Sequence, residues 1–362
     1  MTDLYKVKIF MLAPCLGMFG GIESFCLTLV ENLIKKGASV RLMRKKVNGF
    51  QNDGSIQKNE NEIRSSWTAD ENKRFDCQFV SSRDSEIKNA IRECDLVHLH
   101  NPMVEATWFA KKFRKPCVMT IYNWRRKGIN PRLLAWKWAV FNADRKWYIS
   151  EFVWNSWEIE RKWNSARLPV VSRMPSEECE ISKRKGFLFV GRWIPNKGIR
   201  TLIEAYRIVS PDPLKWPLIM LGDGPLKAVV NTMIIQKKIR GISMPGFVSE
   251  KERCRYTREA KWMVTPPNTN EDLGLTPLEA RSVGVPCIAS TDGGVMETAG
   301  KHSLLCEPGN INSLAECLQK AMEMNEEEYR GISRLAKEGL SDYVRPLDEY
   351  AAEYIYLLKN EK

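Results

Sequence analysis

No stretch of this 362-residue sequence reaches the roughly 18 consecutive apolar residues that a membrane-spanning helix needs, although 43% of it is hydrophobic. The early apolar run from Val7 to Ala13 is interrupted by Lys8 and stopped by Pro14, with no signal-peptide cleavage region after it. A soluble or peripheral protein is expected. Ten Cys occur without a CxxC pair or metal-ligand spacing, so they read as reduced cytoplasmic thiols filling cores. Histidine is scarce. His98 and His100 share one face of a strand, but no third ligand is near them, which favours satisfied structural residues over a metal site. No internal repeat of short period is present.

Acidic residues are also in short supply: 44 Asp and Glu against 56 Lys and Arg leave a net charge of +12. The excess is concentrated in residues 101–150, which hold eleven Lys and Arg but only Glu105 and Asp144 as acids. Tryptophan gathers in the same region, at Trp108, Trp124, Trp136, Trp138 and Trp147, and continues at Trp154, Trp157 and Trp163. Cations attract anionic head groups and Trp prefers the membrane interface. The window therefore suits a surface resting on a bilayer; a solvated basic face over core tryptophans and a nucleic-acid patch with stacking aromatics are the other readings. We expect an anionic membrane surface, and no nucleic acid, as a partner.

The length suits two domains, and the alternation of elements supports them. A strand over 7–13, a turn with Gly17, Gly20 and Gly21, a helix carrying Ile22, Phe25, Cys26, Leu29, Val30, Leu33 and Ile34 at helical spacing, and a strand over 40–43 form a βαβ opening. Residues 44–75 are polar and read as a surface excursion. Strands at 77–80, 96–99 and 118–121 continue the sheet. Residues 165–186, with Pro169, Pro175 and a Lys183-Arg184-Lys185-Gly186 run, mark a boundary. A second α/β series follows, with strands at 187–190, 218–221, 242–244, 262–265 and 286–290. The fold expected is α/β, two doubly wound Rossmann-like domains over residues 1–170 and 171–345 facing across a cleft. The amphipathic helix over 346–362 is expected to pack back on the first domain.

The stretch Glu271-Asp-Leu-Gly-Leu-Thr-Pro-Leu-Glu279 organises the second domain. Thr276 reads as an N-cap, with Pro277 at the first helical position and Glu279 closing a capping box. The amides near Gly274 and Leu275 would then lie at a helix end, which favours anions. Arg192 and Lys197 offer two cations beside another helix start, and Glu279 a carboxylate suited to ribose hydroxyls. Each alone is an ordinary surface charge. All fall at the carboxyl ends of parallel strands, where ligands bind in open α/β sheets.

These residues resemble the retaining GT-B glycosyltransferases of the family 4 type, which build bacterial surface polysaccharides and glycolipids. The marks are Gly191-Arg192 with Lys197-Gly198, Gly222-Asp-Gly-Pro225, Gly246, the Glu-x7-Glu pair Glu271 and Glu279, Gly293-Gly294 with Glu297, and Gly20-Gly21-Ile22-Glu23. The resemblance implies that Arg192 and Lys197 hold the diphosphate, Glu279 the nucleotide ribose and Glu271 the donor sugar. It implies that Gly20 and Gly21 let a loop approach the pyrophosphate, and that Glu23, Tyr122 and Asp272 are candidate acceptor or donor-sugar contacts. Nothing in the chain suggests a DxD metal site, so no metal or other cofactor is expected. The donor expected is a UDP-sugar, and the acceptor a lipid-linked oligosaccharide at the cytoplasmic membrane face. A sugar-nucleotide 2-epimerase of the same fold and a non-catalytic nucleotide-sugar binder are alternatives. Tyr122 stands where many relatives have His, and Asp272 where they have Gly; both bear on donor identity.

Overall fold

The computed structural model describes residues 4–81, 85–126, 128, 130–168, 174–175, 177–341 and 343–360. The chain divides into two compact units, one comprising Met1–Arg173 with Arg345–Lys362 and the other Met174–Val344. The second unit is thus inserted between the body of the first and its last helix.

The first unit is built on a seven-stranded sheet: β1 (Lys8–Cys15), β2 (Ser39–Lys46), β3 (Phe75–Val80), β4 (Leu96–His100), β5 (Cys117–Ile121), β6 (Arg145–Tyr148) and β7 (Ser165–Arg167). Its order is β3-β2-β1-β4-β5-β6-β7, and all neighbours run parallel. The second unit holds β8 (Lys185–Val190), β9 (Leu218–Leu221), β10 (Ile242–Gly246), β11 (Ala260–Thr265), β12 (Cys287–Ser290) and β13 (Leu304–Cys306). There the order is β10-β9-β8-β11-β12-β13, again parallel throughout. Each sheet is therefore doubly wound, and its order reverses next to its first strand, between β1 and β4 and between β8 and β11. Such a reversal opens a crevice at the strands' carboxyl ends, because the two flanking connections leave in opposite directions.

The central strands explain the uninterrupted apolar runs of the sequence. Every residue of β4 and β5 is buried, as expected for parallel strands covered on both faces. The helix Gly21–Lys35 buries Phe25, Cys26, Leu29, Val30, Leu33 and Ile34, the stripe that its 3.6-residue spacing predicts. One difference from the sequence reading concerns local structure. Residues 44–75 are not an excursion: β2 runs on to Lys46, and helices Ser55–Arg64 and Ala69–Lys73 follow. Ile56, Ile63 and Trp67 bury the first of these helices, Arg44 Nη1 donates to Glu60 Oε2 at 2.9 Å, and Thr68 with Glu71 closes a capping box on the second. Three apolar residues among many polar ones are a weak periodic signal. After β9 the next helix is Lys227–Gln236.

The last helix, Leu347–Asn360, docks on the first unit. Tyr350 and Tyr354 are fully buried; their rings lie 5.4 Å from that of Trp147. Arg145 donates to both carboxylate oxygens of Glu353, at 2.5 and 2.9 Å. The two histidines of β4 are structural, as their isolation indicated. His98 Nδ1 lies 2.6 Å from the Tyr354 hydroxyl and its Nε2 lies 2.8 Å from Thr120 Oγ1. Both rings are wholly buried, 4.2 Å apart. Burial lowers the His100 pKa to about 3, and burial together with His100 pushes that of His98 well down.

A pH dependence follows. In the unfolded chain both imidazoles titrate near 6.5; in the folded chain they resist protonation. Their contribution to stability is fully present above pH 6.5 and is lost as the pH falls from there toward about 3. The expected slope is about 1.4 kcal/mol per pH unit for each group. Urea unfolding at pH 7, 6 and 5 measures it, and His100→Gln should flatten the slope; an unchanged slope in that variant would contradict the account.

Candidate active site

The reversal between β8 and β11 brings together most of the residues singled out in the second half of the sequence. After β8 the chain passes Gly191 and the exposed Arg192, makes a turn at Pro195–Lys197 and enters the helix Ile199–Val209. Gly198 between them has φ 70°, and a Cβ there would collide with the Pro266 carbonyl oxygen. Only glycine lets the two connections approach so closely. The Asn268 amide donates to the Asn196 carbonyl at 3.0 Å across the same gap. Opposite Lys197, in the connection after β11, stands Glu271. Lys197 Nζ donates to both of its carboxylate oxygens, at 2.8 and 2.7 Å. Both side chains are partly exposed, at 23% and 15%, so the pair is reachable from solvent. The Arg192 guanidinium has no hydrogen-bond or ion-pair partner among the described residues.

The Glu271 segment rests on the turn after β12. The Gly294 amide donates to the Glu271 carbonyl at 2.7 Å. A Cβ at Gly293, where φ is 59°, would overlap the Glu271 backbone, and one at Gly294 would overlap the Asp272 carbonyl. The two glycines let the acidic segment lie directly on the turn, and the helix Val295–Ala299, carrying Glu297 in its first turn, follows. Asp292 at the head of this turn has its pKa raised by burial and by the Glu271 charge. Two carboxylates and one ammonium therefore share a small volume.

The start of the next helix corrects the sequence reading. It runs Leu275–Ser282, with Gly274 as N-cap and no side-chain cap. Thr276 is already inside the helix, its hydroxyl 3.4 Å from Thr265 Oγ1, so Glu279 sits a turn further on and closes no capping box. Glu279 is instead buried, 6% exposed, and its Oε2 receives a hydrogen bond from Arg253 Nη1. The mundane explanation for this carboxylate is thereby removed. At Gly274 and Leu275 the backbone amides begin a helix with no side-chain cap, and such an end attracts anions.

Arg253 had no signal as a site residue, being one of several charges on a helix that reads as solvated. Its register was nonetheless legible: Ser249 and Glu252 form a capping box, so Arg253 shares its face with Thr257, which is 1% exposed. Asp272 contributes its backbone to the turn contact. Among the described residues, no group of three or more His, Cys, Asp or Glu could hold a metal ion.

In the first unit Gly20 is the N-cap of the helix Gly21–Lys35. The Glu23 carboxylate folds back over it, since a Cβ at Gly20 would lie 3.2 Å from Glu23 Oε2, and burial raises the Glu23 pKa. Tyr122 follows β5 but is not presented to solvent. It is 5% exposed and its hydroxyl lies 2.7 Å from His100 Nδ1. The basic, Trp-rich window divides. Trp147 is in the core and Trp154 is 9% exposed, while Lys146 forms a buried ion pair with Glu158 at 2.6 Å. Trp108, Trp138 and Trp163 are exposed, and Lys127 lies outside the described residues.

Comparison with known proteins adds independent findings. The family profile "Glycosyltransferase Family 4" matches residues 19–163 and "Glycosyl transferases group 1" matches residues 174–338. An uncharacterized glycosyltransferase of Methanocaldococcus jannaschii is 25% identical over 247 residues, which cover 65% of this chain and 67% of the relative. A 2-deoxystreptamine N-acetyl-D-glucosaminyltransferase of Niallia circulans is 23% identical over 62% of this chain and 57% of its own length. In fold, the chain is similar to Anabaena HepE, solved in complex with UDP-glucose, at a TM-score of 0.77 and 15% identity over 96% of this chain and 99% of that one.

The turn after β12 gives a direct test. Gly293→Ala should destabilise the second unit by about 2 kcal/mol or more, from the left-handed backbone and the collision with Glu271 together. Thermal unfolding checks this, and a Tm within a degree of wild type would mean that the close approach is not required.

Proposed function

We propose, from the premise that the chain belongs to the family 4 glycosyltransferases of GT-B fold, that it moves a hexosyl or N-acetylhexosaminyl group from a nucleotide sugar to a lipid-linked oligosaccharide in surface polysaccharide synthesis. The donor is a UDP-sugar such as UDP-GalNAc, UDP-GlcNAc or UDP-Gal, and the anomeric configuration is retained. The observation that carries this reading is the bidentate Lys197–Glu271 contact at the β8/β11 reversal, beside the uncapped helix start at Gly274 and the exposed Arg192.

In this mechanism the diphosphate takes the place that Glu271 holds on Lys197. Lys197 and Arg192 then neutralise the leaving group, while the amides at Gly274 and Leu275 donate to it; no metal is needed for that charge. Glu279 accepts from the nucleotide ribose. Glu271, released from Lys197, turns to the donor sugar's hydroxyls. The glycosidic bond breaks through an oxocarbenium-like state, and the departing phosphate takes the acceptor's proton on the same face. Retention follows from departure and attack on one side.

The lipid-linked acceptor is supported by the first unit's surface. Helix Pro131–Phe141 exposes Leu134, Trp138 and Phe141, 54%, 39% and 70% accessible, at i, i+4 and i+7. Ile159 and Trp163 are exposed as well; Lys162 Nζ lies 4.9 Å from the Phe141 ring centroid and Lys112 Nζ 4.7 Å from that of Trp108. Apolar side chains edged by cations suit an anionic lipid surface. No helix among the described residues is long and apolar enough to cross a membrane.

Two measurements test the reading. In thermal-shift titrations with UDP, GDP, ADP and their sugar conjugates, one nucleotide should stabilise the protein equally with and without EDTA. Lys197→Ala and Glu279→Ala should each abolish the shift; no shift with any nucleotide would overturn the donor site. In co-sedimentation, vesicles with anionic lipid should capture the protein and neutral vesicles should not, and Trp138→Glu with Phe141→Glu should weaken capture about tenfold or more. Equal capture by both vesicle types would remove the membrane surface.

A further inference from the structure

The buried ion pair between Arg253 and Glu279 joins a motif residue to one that lies outside the sequence motif. Glu279 comes from the helix Leu275–Ser282 and Arg253 from the helix Glu250–Glu259. Their side chains are 7% and 22% exposed. The other arginines of that helix pair elsewhere: Arg255 with Glu259 at 3.0 Å, and Arg258 with Glu177. Only Arg253 points inward, held there by the Ser249 and Glu252 capping box and by Thr257, whose hydroxyl donates to the Arg253 carbonyl at 2.8 Å.

The Arg253 contact gives this buried carboxylate a fixed partner, which limits the rotamers open to it. As a stabilising device alone, such a pair is a poor choice, since apolar replacements of a buried ion pair are often as stable or more so. An acceptor held in one orientation is, however, what vicinal ribose hydroxyls require, because both must donate to it. The fork of a guanidinium also fixes the plane of a carboxylate in a way that a lone ammonium does not.

We propose that Arg253 is a positioning residue of the nucleotide site, holding the Glu279 carboxylate in one orientation, and so setting the site's preference for ribose over 2′-deoxyribose. The proposal rests on the reading that Glu279 binds the nucleotide ribose. Arg253 itself touches no substrate. It acts by denying Glu279 a second rotamer.

The test uses calorimetric binding of UDP, GDP and ADP, each beside its 2′-deoxy counterpart, to the full chain and to Arg253→Gln, Arg253→Lys and Glu279→Gln. Glutamine keeps a hydrogen-bond donor beside the carboxylate, so folding is protected, and Tm is recorded for every variant. The wild type should prefer the ribonucleotide about tenfold, the worth of a charge-assisted hydrogen bond. Glu279→Gln and Arg253→Gln should both bring the ratio to within about twofold of unity, and Arg253→Lys should restore at least half of the lost preference. If Arg253→Gln weakens both forms equally and keeps the ratio while Glu279→Gln loses it, Arg253 is structural and the proposal fails with the ribose reading intact. If the wild type shows no preference and Glu279→Gln changes nothing, the ribose reading fails and the proposal falls with it.

Discussion

The contact between the Gly293-Gly294 turn and the backbone of Glu271 and Asp272 is the constraint on which the second unit's site depends. Two residues without side chains allow one connection to lie on another at a distance that any Cβ would forbid. The Gly294 amide then fixes the upper strand of the contact through the Glu271 carbonyl. With the backbone of Glu271 held, its carboxylate reaches Lys197. Gly198 performs the same service on the other side, against Pro266. The position of the charges is thus decided by main-chain packing, and the charges respond to it.

The ion pair that results is suited to being exchanged. Lys197 and Glu271 are partly hydrated, so their mutual attraction is modest, and a doubly charged phosphate group competes well for an ammonium at a helix start. Asp292 stands close enough to Glu271 for that charge, with burial, to raise its pKa. Arg253 and Glu279 behave differently. Their pair is the more deeply buried on the carboxylate side. One carboxylate of the Glu-x7-Glu pair is therefore partly hydrated and the other buried, although the sequence spacing treats them alike.

Much of this was legible in the residues themselves. Both doubly wound sheets followed from apolar runs alternating with helical stripes, because period and strand length are local properties. Lys197, Glu271 and the glycine pair were identifiable through their places at strand ends. The misreading of Thr276 as an N-cap has a physical cause: Gly274 supplies the turn at helix entry, which shifts the start upstream and leaves the favourable Thr-Pro-x-Glu signal inside the helix. Residues 44–75 hid two helices because only Ile56, Ile63 and Trp67 bury them. Tyr122 was placed correctly at the end of its strand, but its hydroxyl is occupied by His100, a partner 22 positions away. Arg253 lies 26 positions from Glu279; the local capping box fixes its face of the helix, but nothing local names its partner. Pairings made by tertiary packing leave no periodic trace.

The insertion of one unit between the body of the other and its last helix sets an order of events during synthesis. His98 and Tyr354, which hydrogen-bond in the finished fold, are 256 residues apart, so the first sheet emerges from the ribosome long before the helix that covers His98 and Trp147. For that interval its aromatic cluster faces water or whatever binds it, and the second unit, whose described strands are contiguous in sequence, is complete first. The amino-terminal half is the last to be finished. A chain stopped between Cys306 and Tyr350 carries all the described strands of the second sheet and leaves an open apolar surface on the first unit, a species prone to aggregate or to be recognised by chaperones.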